Sequence, residues 1–322
     1  MMHYQHDYYD IVEQALRAPS GHNSQPWLVK ITPNQIMITA DYSRSLTVVD
    51  PLHRELFISL GCLAENICIV ASTKHYQTQL ELNDKGQIMI HLTRSPQLPV
   101  DPLANYVIKQ QSNRSLYHGG NITMQQRTVL TTMPLYPNID CHLYPRDTEQ
   151  FNLIRELILA GNTLQMADKR FITELKQWMR LNKKHAQTTN DGLSYAIFGA
   201  PNLPLFMVKP IMACFLKASI QNRQDDQKIK SSSDFMLLTM QQNTKKEWIN
   251  VGRSLQRLLL ACTANQISYA FMNQPIEVNK LCIEMQQRLY LTTLPSIVLR
   301  LGLANVQPYS RRKPLQACLM SD

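Results

Sequence analysis

Apolar and polar positions alternate along this chain in stretches that predict both helices and strands. A first helix is predicted from Tyr8 to Ala18, stopped by Pro19-Ser20-Gly21, followed by an extended run from Trp27 to Ile31 that returns as Gln35 to Ala40. Asp50-Pro51 opens a long apolar helix reaching about Thr73, with Asp and Pro in cap and first-turn positions. A hairpin pairs Gln79–Leu82 with Gln87–Thr93 across Asn83-Asp84-Lys85-Gly86, residues that tolerate the positive φ of a tight reversal. A helix is expected from Asp101-Pro102 to about Gln111, mostly helix from Pro145 to Asn182, a strand from Ser233 to Met240, a helix from Lys246 to Asn265 and a buried strand from Pro295 to Leu301. The class is α+β.

The two long apolar helices resemble each other. Gly61-Cys-Leu-Ala-Glu-Asn-Ile-Cys-Ile-Val-Ala71 aligns without a gap with Gly252-Arg-Ser-Leu-Gln-Arg-Leu-Leu-Leu-Ala-Cys262, and each precedes an extended segment. Duplication and the shared habit of buried helices both produce such a match. A length of 322 residues suits two domains or one internally repeated body.

Composition narrows the function classes. Hydrophobic residues at 44% and charged residues at 18%, with only 10 glycines and 17 prolines, describe a folded chain without long disordered tracts. The net charge of +9 is scattered in small clusters, Lys183-Lys184, Lys245-Lys246 and Arg311-Arg312-Lys313, so it reads as a solvated basic surface that attracts anionic ligands, and no nucleic-acid partner is expected. Cys62, Cys68, Cys141, Cys214, Cys262, Cys282 and Cys318 stand singly, and the first segment has neither a positive start nor an apolar core, which together predict a reducing cytoplasm. Leu56–Ala71 would be about 24 Å long as a helix, too short for a span of about 20 apolar residues, and carries Glu65 and Asn66. It is therefore expected to be a core helix, with no integral membrane segment. Leu193–Ile220, broken by Pro201, Pro204 and Pro210, is the candidate lid.

Dinucleotide, P-loop, zinc-protease, CxxC and nucleophile-elbow patterns are all missing, and nine histidines without ligand spacing predict no metal site. The most informative stretch is Ala18-Pro-Ser-Gly-His-Asn-Ser-Gln-Pro-Trp27. Its small polar residues suit either the edge of a heterocycle or a turn held by its own side chains. Trp27, leading straight into a strand, reads as core.

This loop resembles the flavin-edge loop of the FMN-dependent nitroreductases, and the fuller pattern resembles their Acg-like branch. Asp50-Pro-Leu-His-Arg-Glu-Leu-Phe-Ile-Ser-Leu-Gly61, Ser112-Asn-Arg114, Phe271-Met-Asn-Gln-Pro-Ile-Glu277 and Arg311-Arg-Lys-Pro-Leu315 follow in family order. The resemblance implies an internally duplicated pseudo-dimer, with residues 1–105 as the first half, 106–322 as the second, the lid candidate at 193–220, and one FMN between the halves. It implies Ser20, Gly21 and Asn23 against the ring, Ser112 and Arg114 at the phosphate, Pro275 and Glu277 on the ring's opposite side, and Arg311 and Arg312 completing the phosphate site. Glu277 has the alternative of a solvated helix start, and Arg311-Arg312-Lys313 that of a frayed basic tail. Gln110 and Gln111 stand where the family's phosphate motif carries arginines, leaving Lys109 or the C-terminal cluster to compensate. Implied activities are NADH- or NADPH-dependent reduction of nitro or quinone-type acceptors, or FMN storage without turnover. No catalytic side chain is nominated, since the cofactor carries the chemistry. A monomer or homodimer acting on small molecules is expected, and a basic binding module without cofactor is the competing class.

Overall fold

The computed structural model describes residues 3–83, 86–208 and 216–320. After α1 (His3–Ala15), β1 (Trp27–Thr32) and β2 (Gln35–Ala40) form a hairpin in which Trp27 pairs with Ala40 and Thr32 with Gln35. The long helix α2 (Arg54–Ser72) follows, then β3 (Tyr76–Leu82) and β4 (Ile88–Arg94). These strands make an antiparallel sheet in the order β1-β2-β4-β3. Trp27 and Val29 of β1, with Ile88, Ile90 and Leu92 of β4, alternate into the core, so Trp27 is a core residue.

The remainder contains α3 (Met124–Thr131), β5 (Ile139–Pro145), α4 (Glu149–Ala167), α5 (Lys169–Trp178), β6 (Met179–Arg180), α6 (Lys183–Thr189), β7 (Leu193–Ser194), α7 (Ala218–Lys230), β8 (Asp234–Met240), α8 (Lys245–Ala264), β9 (Ser268–Phe271), α9 (Gln274–Glu277), α10 (Asn279–Arg288) and β10 (Leu294–Gly302). The second large sheet runs β5-β8-β10-β9, again antiparallel, while β6 and β7 form a small parallel pair. Every residue of β8 is buried because Met236, Leu238 and Met240 enter one core while Phe235 and Leu237 enter another. Cover on both faces explains the uninterrupted apolar run. The two large sheets share one plan: two strands, a long helix, two strands, with the fourth strand placed between the second and third.

The long helices cross at backbone contact. A Cβ on Gly61 would overlap the carbonyl oxygen of Ile249, and a Cβ on Gly252 would overlap that of Ile58. Beside the crossing, the Cys62 thiol donates to the Gly252 carbonyl at 3.1 Å, and Phe57 meets Trp248 with ring centroids 6.0 Å apart. Glu65 accepts from Arg253 at 2.8 Å, Arg257 at 2.9 Å and the Tyr136 hydroxyl at 2.8 Å, so its buried charge is paired and hydrogen-bonded. Among the described residues, α2 is the one helix long and apolar enough to cross a membrane, and 89% of its apolar window is buried inside the protein.

Two expectations need correction, and a third lies partly outside the described residues. The helix expected to Gln111 shrinks to a 3-10 turn, Ala104–Tyr106, because the backbone beyond it extends and Asn113 N donates to Tyr269 O of β9 at 2.7 Å. The apolar helix starts at Arg54 rather than at Pro51, since His53 takes a left-handed conformation with φ 60°. Asp50 still serves the start, its carboxylate accepting from Leu56 N at 2.9 Å. The expected turn at 83–86 includes residues 84–85, outside the described residues, though Gly86 has φ 79° and its N–H donates to Asn83 O at 2.9 Å.

Beyond β10 the chain returns to the first sheet, where Leu319 bridges Val29 in parallel and Met320 N donates to Val29 O at 2.9 Å. Residues 310–320 therefore pack against α1, the loop after it and β1, although they follow β10 in sequence.

Because the methyl group of alanine has no room at the helix crossing, Gly252→Ala is expected to destabilise the fold by about 1–3 kcal/mol. A urea midpoint lowered at unchanged slope will show it; an unmoved midpoint would mean that the helices separate at little cost.

Candidate functional site

A cavity of about 870 Å³ lies beside the helix crossing, walled by Ile58, Ser59 and Cys62 of α2 and Leu255 of α8. This volume falls within the usual range for small-molecule sites. Pro19, Ser20, Gly21 and His22 form one wall, Arg114 to Leu116 another, and Asn273, Gln274 and Glu277 a third. Phe198 to Pro201, Leu203 and Val208 close it from the candidate lid; residues 209–215 of that segment lie outside the described residues.

The early loop is an irregular turn with three left-handed side-chain-bearing residues, His22, Asn23 and Gln25, at φ 50°, 55° and 51°. Such conformations persist only where surrounding bonds over-determine them. Here Ser20 Oγ accepts from Gln25 N at 2.9 Å. Asn23 Nδ2 donates to Gly192 O at 3.1 Å and Arg311 O at 3.0 Å, while Arg312 Nη1 donates to Asn23 Oδ1 at 2.8 Å. Gln25 Nε2 donates to Asn190 O at 3.0 Å, and its Oε1 accepts from Lys313 N at 2.8 Å. The two open readings of this stretch thus divide by residue: Asn23 and Gln25 hold the turn, whereas Ser20, Gly21 and His22 face the cavity.

Arg312 is a structural cap. Its guanidinium donates to Leu16, Arg17 and Ala18 carbonyls at 3.0, 3.0 and 3.1 Å, satisfying the turn that follows α1. Burial, with Arg17 and Arg114 nearby, lowers its pKa to about 9. Arg311 is exposed and reaches only Asn190 Oδ1 at 3.5 Å. Neither residue lines the cavity, nor do Asn23, Ser112 and the buried Pro275, so these five are not brought to its wall. The expected basic tail is not frayed, since Arg312 is tied down on every side. Of the expected residues, Ser20, Gly21, Arg114 and Glu277 are brought together.

Arg114 sits in a clamped segment. Arg300 donates to Asn113 O at 3.2 Å and Ser115 O at 2.7 Å, and its guanidinium lies 3.8 Å from the Tyr117 ring centroid. Arg114 Nη1 is buried without a hydrogen-bond partner, leaving donor capacity unspent on a side chain that lines the cavity. Burial pushes its pKa down to about 10, and burial together with Arg114 pushes His22 down to about 4, so His22 is neutral at pH 7. Gln110 is spent on Gln256, whose Nε2 also donates to Asn66 Oδ1, and Gln111 Oε1 accepts from Gln307 N. Lys109 stacks over Tyr106, 5.6 Å from the ring centroid, and does not compensate for the missing arginines. Lys228 does line the cavity, 3.4 Å from Asp225 Oδ1.

Across the cavity wall stand two carboxyl groups. Glu55 Oε1 accepts from Asn273 Nδ2 at 3.1 Å and lies 3.4 Å from Arg54 Nη2, while Glu277 Oε2 accepts from Gln165 Nε2 at 2.5 Å. Burial raises the Glu55 pKa to about 7, against the pull of Arg54. Burial and then the Glu55 charge raise that of Glu277 to about 8. Sequence reasoning missed Glu55 and His22, although both lie inside the stretches that carry the family resemblance; a lone acidic residue opening an otherwise apolar helix was the available signal. Just before the candidate lid, Asp191 pairs with Arg44 and, at 2.7 Å, with Arg180.

No family model matches the chain. Two Mycobacterium tuberculosis proteins from different strains, each named "Putative NAD(P)H nitroreductase", are 20% identical to it over 313 residues, covering 92% of this chain and 85% of theirs. Among solved structures, the FMN and NADPH-dependent nitroreductase NfnB from Sphigopyxis sp. strain HMH covers 69% of this chain and 99% of its own at 10% identity and TM-score 0.46. A nitroreductase with bound FMN from Desulfitobacterium hafniense gives 69%, 98%, 10% and 0.42 for the same quantities. The sequence similarity to these two proteins covers 92% of the chain and is not confined to one motif, and it does not single out the Acg-like branch.

The raised carboxyl groups fix a sign for the pH dependence of stability. Between the ordinary glutamate value of 4.5 and the raised native values of about 7 and about 8, the native state holds protons that the unfolded chain has released. Their contribution is complete below the ordinary value and is lost as pH rises through the native ones. The melting temperature is expected to fall more steeply from about pH 6 to about pH 9 in the unaltered chain than in Glu277→Gln. Parallel curves would mean that Glu277 is already ionised at the lower pH.

Proposed function

We propose that this chain is an FMN-binding oxidoreductase that uses NADH or NADPH to reduce nitro or quinone-type acceptors, with one flavin in the cavity between two duplicated halves, residues 1–105 and 106–322. The observation that carries the reading is the juxtaposition of the Ser20-Gly21-His22 wall and the under-used Arg114 guanidinium on one cavity. The matching strand orders of the two sheets and the reciprocal glycine crossing support the duplication. The relatives' names supply the cofactor and reductant classes.

The residues present fit the cofactor. Arg114 would hold the phosphate, where a buried guanidinium gives a short charge-assisted bond, and Lys228 adds a second positive charge on the same cavity. Ser20 and the backbone of Gly21 would meet the edge of the ring. Glu277 and Asn273 would bound its other side, and the apolar lid residues would exclude water. When bound, FMN supplies two-electron exchange between reduced nicotinamide and the acceptor.

The second reading, an FMN store, is favoured by one observation: Phe198 to Val208 contribute to the wall and narrow access for a second substrate. NADPH oxidation with menadione separates the readings, since a store carries flavin with negligible turnover.

Purified protein is expected to show the two-band visible absorbance of oxidised flavin, or to acquire it on adding FMN. Arg114→Ala should weaken FMN binding by about 1.5–3 kcal/mol, roughly tenfold to more than a hundredfold. A fluorescence titration giving the same affinity for both proteins would remove Arg114 from the phosphate site.

A further inference from the structure

We propose that Glu277 is the acid that protonates the acceptor in this cavity, with Glu55 as the residue that positions it and keeps it loaded with a proton. The inference rests on the oxidoreductase reading above, but the paired carboxyl groups stand in the protein independently of any flavin.

The geometry is a cross-half arrangement organised by Asn273. Its Nδ2 donates to Glu55 Oε1 at 3.1 Å, its Oδ1 accepts from Val298 N at 3.0 Å, and its backbone carbonyl accepts from Glu277 N at 2.9 Å. One asparagine therefore ties the first turn of α2 to the short helix α9 and fixes the two acids relative to each other. Glu55 is nearly sealed, at 8% exposure, and its Oε2 faces Gly21, since a Cβ on that residue would stand 3.4 Å away. Glu277 is less enclosed and lines the cavity, with Gln165 donating to one of its oxygens. The charged groups around the pair are Arg54 and Asp50 at the start of α2, His22 of the early loop, Arg114 of the clamped segment, and Asp225 with Lys228 from α7. His22 is neutral at pH 7 and Lys228 is engaged by Asp225, so Arg54 is the cation set directly against the acids. One cation beside several buried carboxyl groups cannot neutralise them all, and the remainder is relieved by retaining a proton.

The step balances. A quinone that accepts a hydride, originating from reduced nicotinamide, gains two electrons and one proton and carries a negative charge on oxygen. The O–H bond of Glu277 then breaks, its proton forms the second O–H bond of the hydroquinone, and the carboxylate left behind recovers a proton from solvent. Positioned general acids of this kind contribute about 10²–10⁴-fold.

The test compares the unaltered chain with Glu277→Gln and Glu55→Gln. Infrared titration of the protein without flavin should show a carboxylic-acid carbonyl band persisting at neutral pH, lost in Glu277→Gln and shifted in pH by Glu55→Gln. With FMN and NADPH, the ratio of menadione reduction, which needs the proton, to ferricyanide reduction, which does not, should fall about a hundredfold in Glu277→Gln. No acid band at neutral pH in the unaltered chain, or an unchanged ratio in Glu277→Gln, overturns the proposal. If Glu277→Gln does not fold, Glu55→Gln carries the test: an unshifted band overturns the proposal. Failure of the unaltered chain to take up FMN strikes the oxidoreductase reading instead, and the infrared result still decides whether the acid pair exists.

Discussion

Two glycines in van der Waals contact set the geometry on which everything else in this molecule depends. Because neither Gly61 nor Gly252 carries a side chain, α2 and α8 approach until each backbone meets the other, and the carbonyls of Ile58 and Ile249 occupy the space a methyl would need. The two sheets are placed by these helices. One continuous core then includes Ile36, Ile38 and Ile90 from the first sheet and Met236, Leu238 and Leu299 from the second. The cavity sits against the same crossing, with Ser59 and Cys62 from one helix and Leu255 from the other, so its shape follows from how closely the helices meet.

Charge in the cavity is divided by sign. Arg114 stands with an unspent donor and adds to the effect of burial in depressing its neighbour His22, whereas burial raises the proton affinity of Glu55 and, with the Glu55 charge, that of Glu277. A ligand with an anionic group at one end and an acceptor of protons at the other matches this division better than a uniformly charged one. The arrangement is stiff because its supports are buried: Arg300 grips the segment bearing Arg114, and Asn273 grips the acids.

What was legible in the sequence was what periodicity encodes. The helix around Gly61 and the buried strand ending at Leu301 carry long apolar runs because protein covers them, and the helix around Gly252 carries an apolar stripe at helical spacing. The segment after Asp101 was misread as helix because its conformation is set by a distant partner, β9, which pairs with Asn113. β5 went unseen because only Ile139 is buried along it, leaving too little alternation. At the site, the resemblance points to a loop, an arginine and a glutamate, Arg114 and Glu277, that line one cavity, whereas Asn23 and Arg312, which it implies at a ligand, bond to each other. Nothing local announces that pairing. Glu55 was passed over for the same reason, since its neighbours Asn273 and Glu277 lie far along the chain.

The return of the closing segment to the first sheet has a consequence for the order in which the molecule is assembled. Arg312 reaches Asn23 across 289 residues of sequence, and Lys313 reaches Gln25 across 288. Contacts of such separation carry a high loop-closure entropy and form late on folding pathways. Without them, the three left-handed residues of the early loop keep only the bonds within the turn and those to Asn190 and Gly192. The wall of the cavity that includes Gly21 is therefore shaped by the far end of the chain as well as by its own sequence.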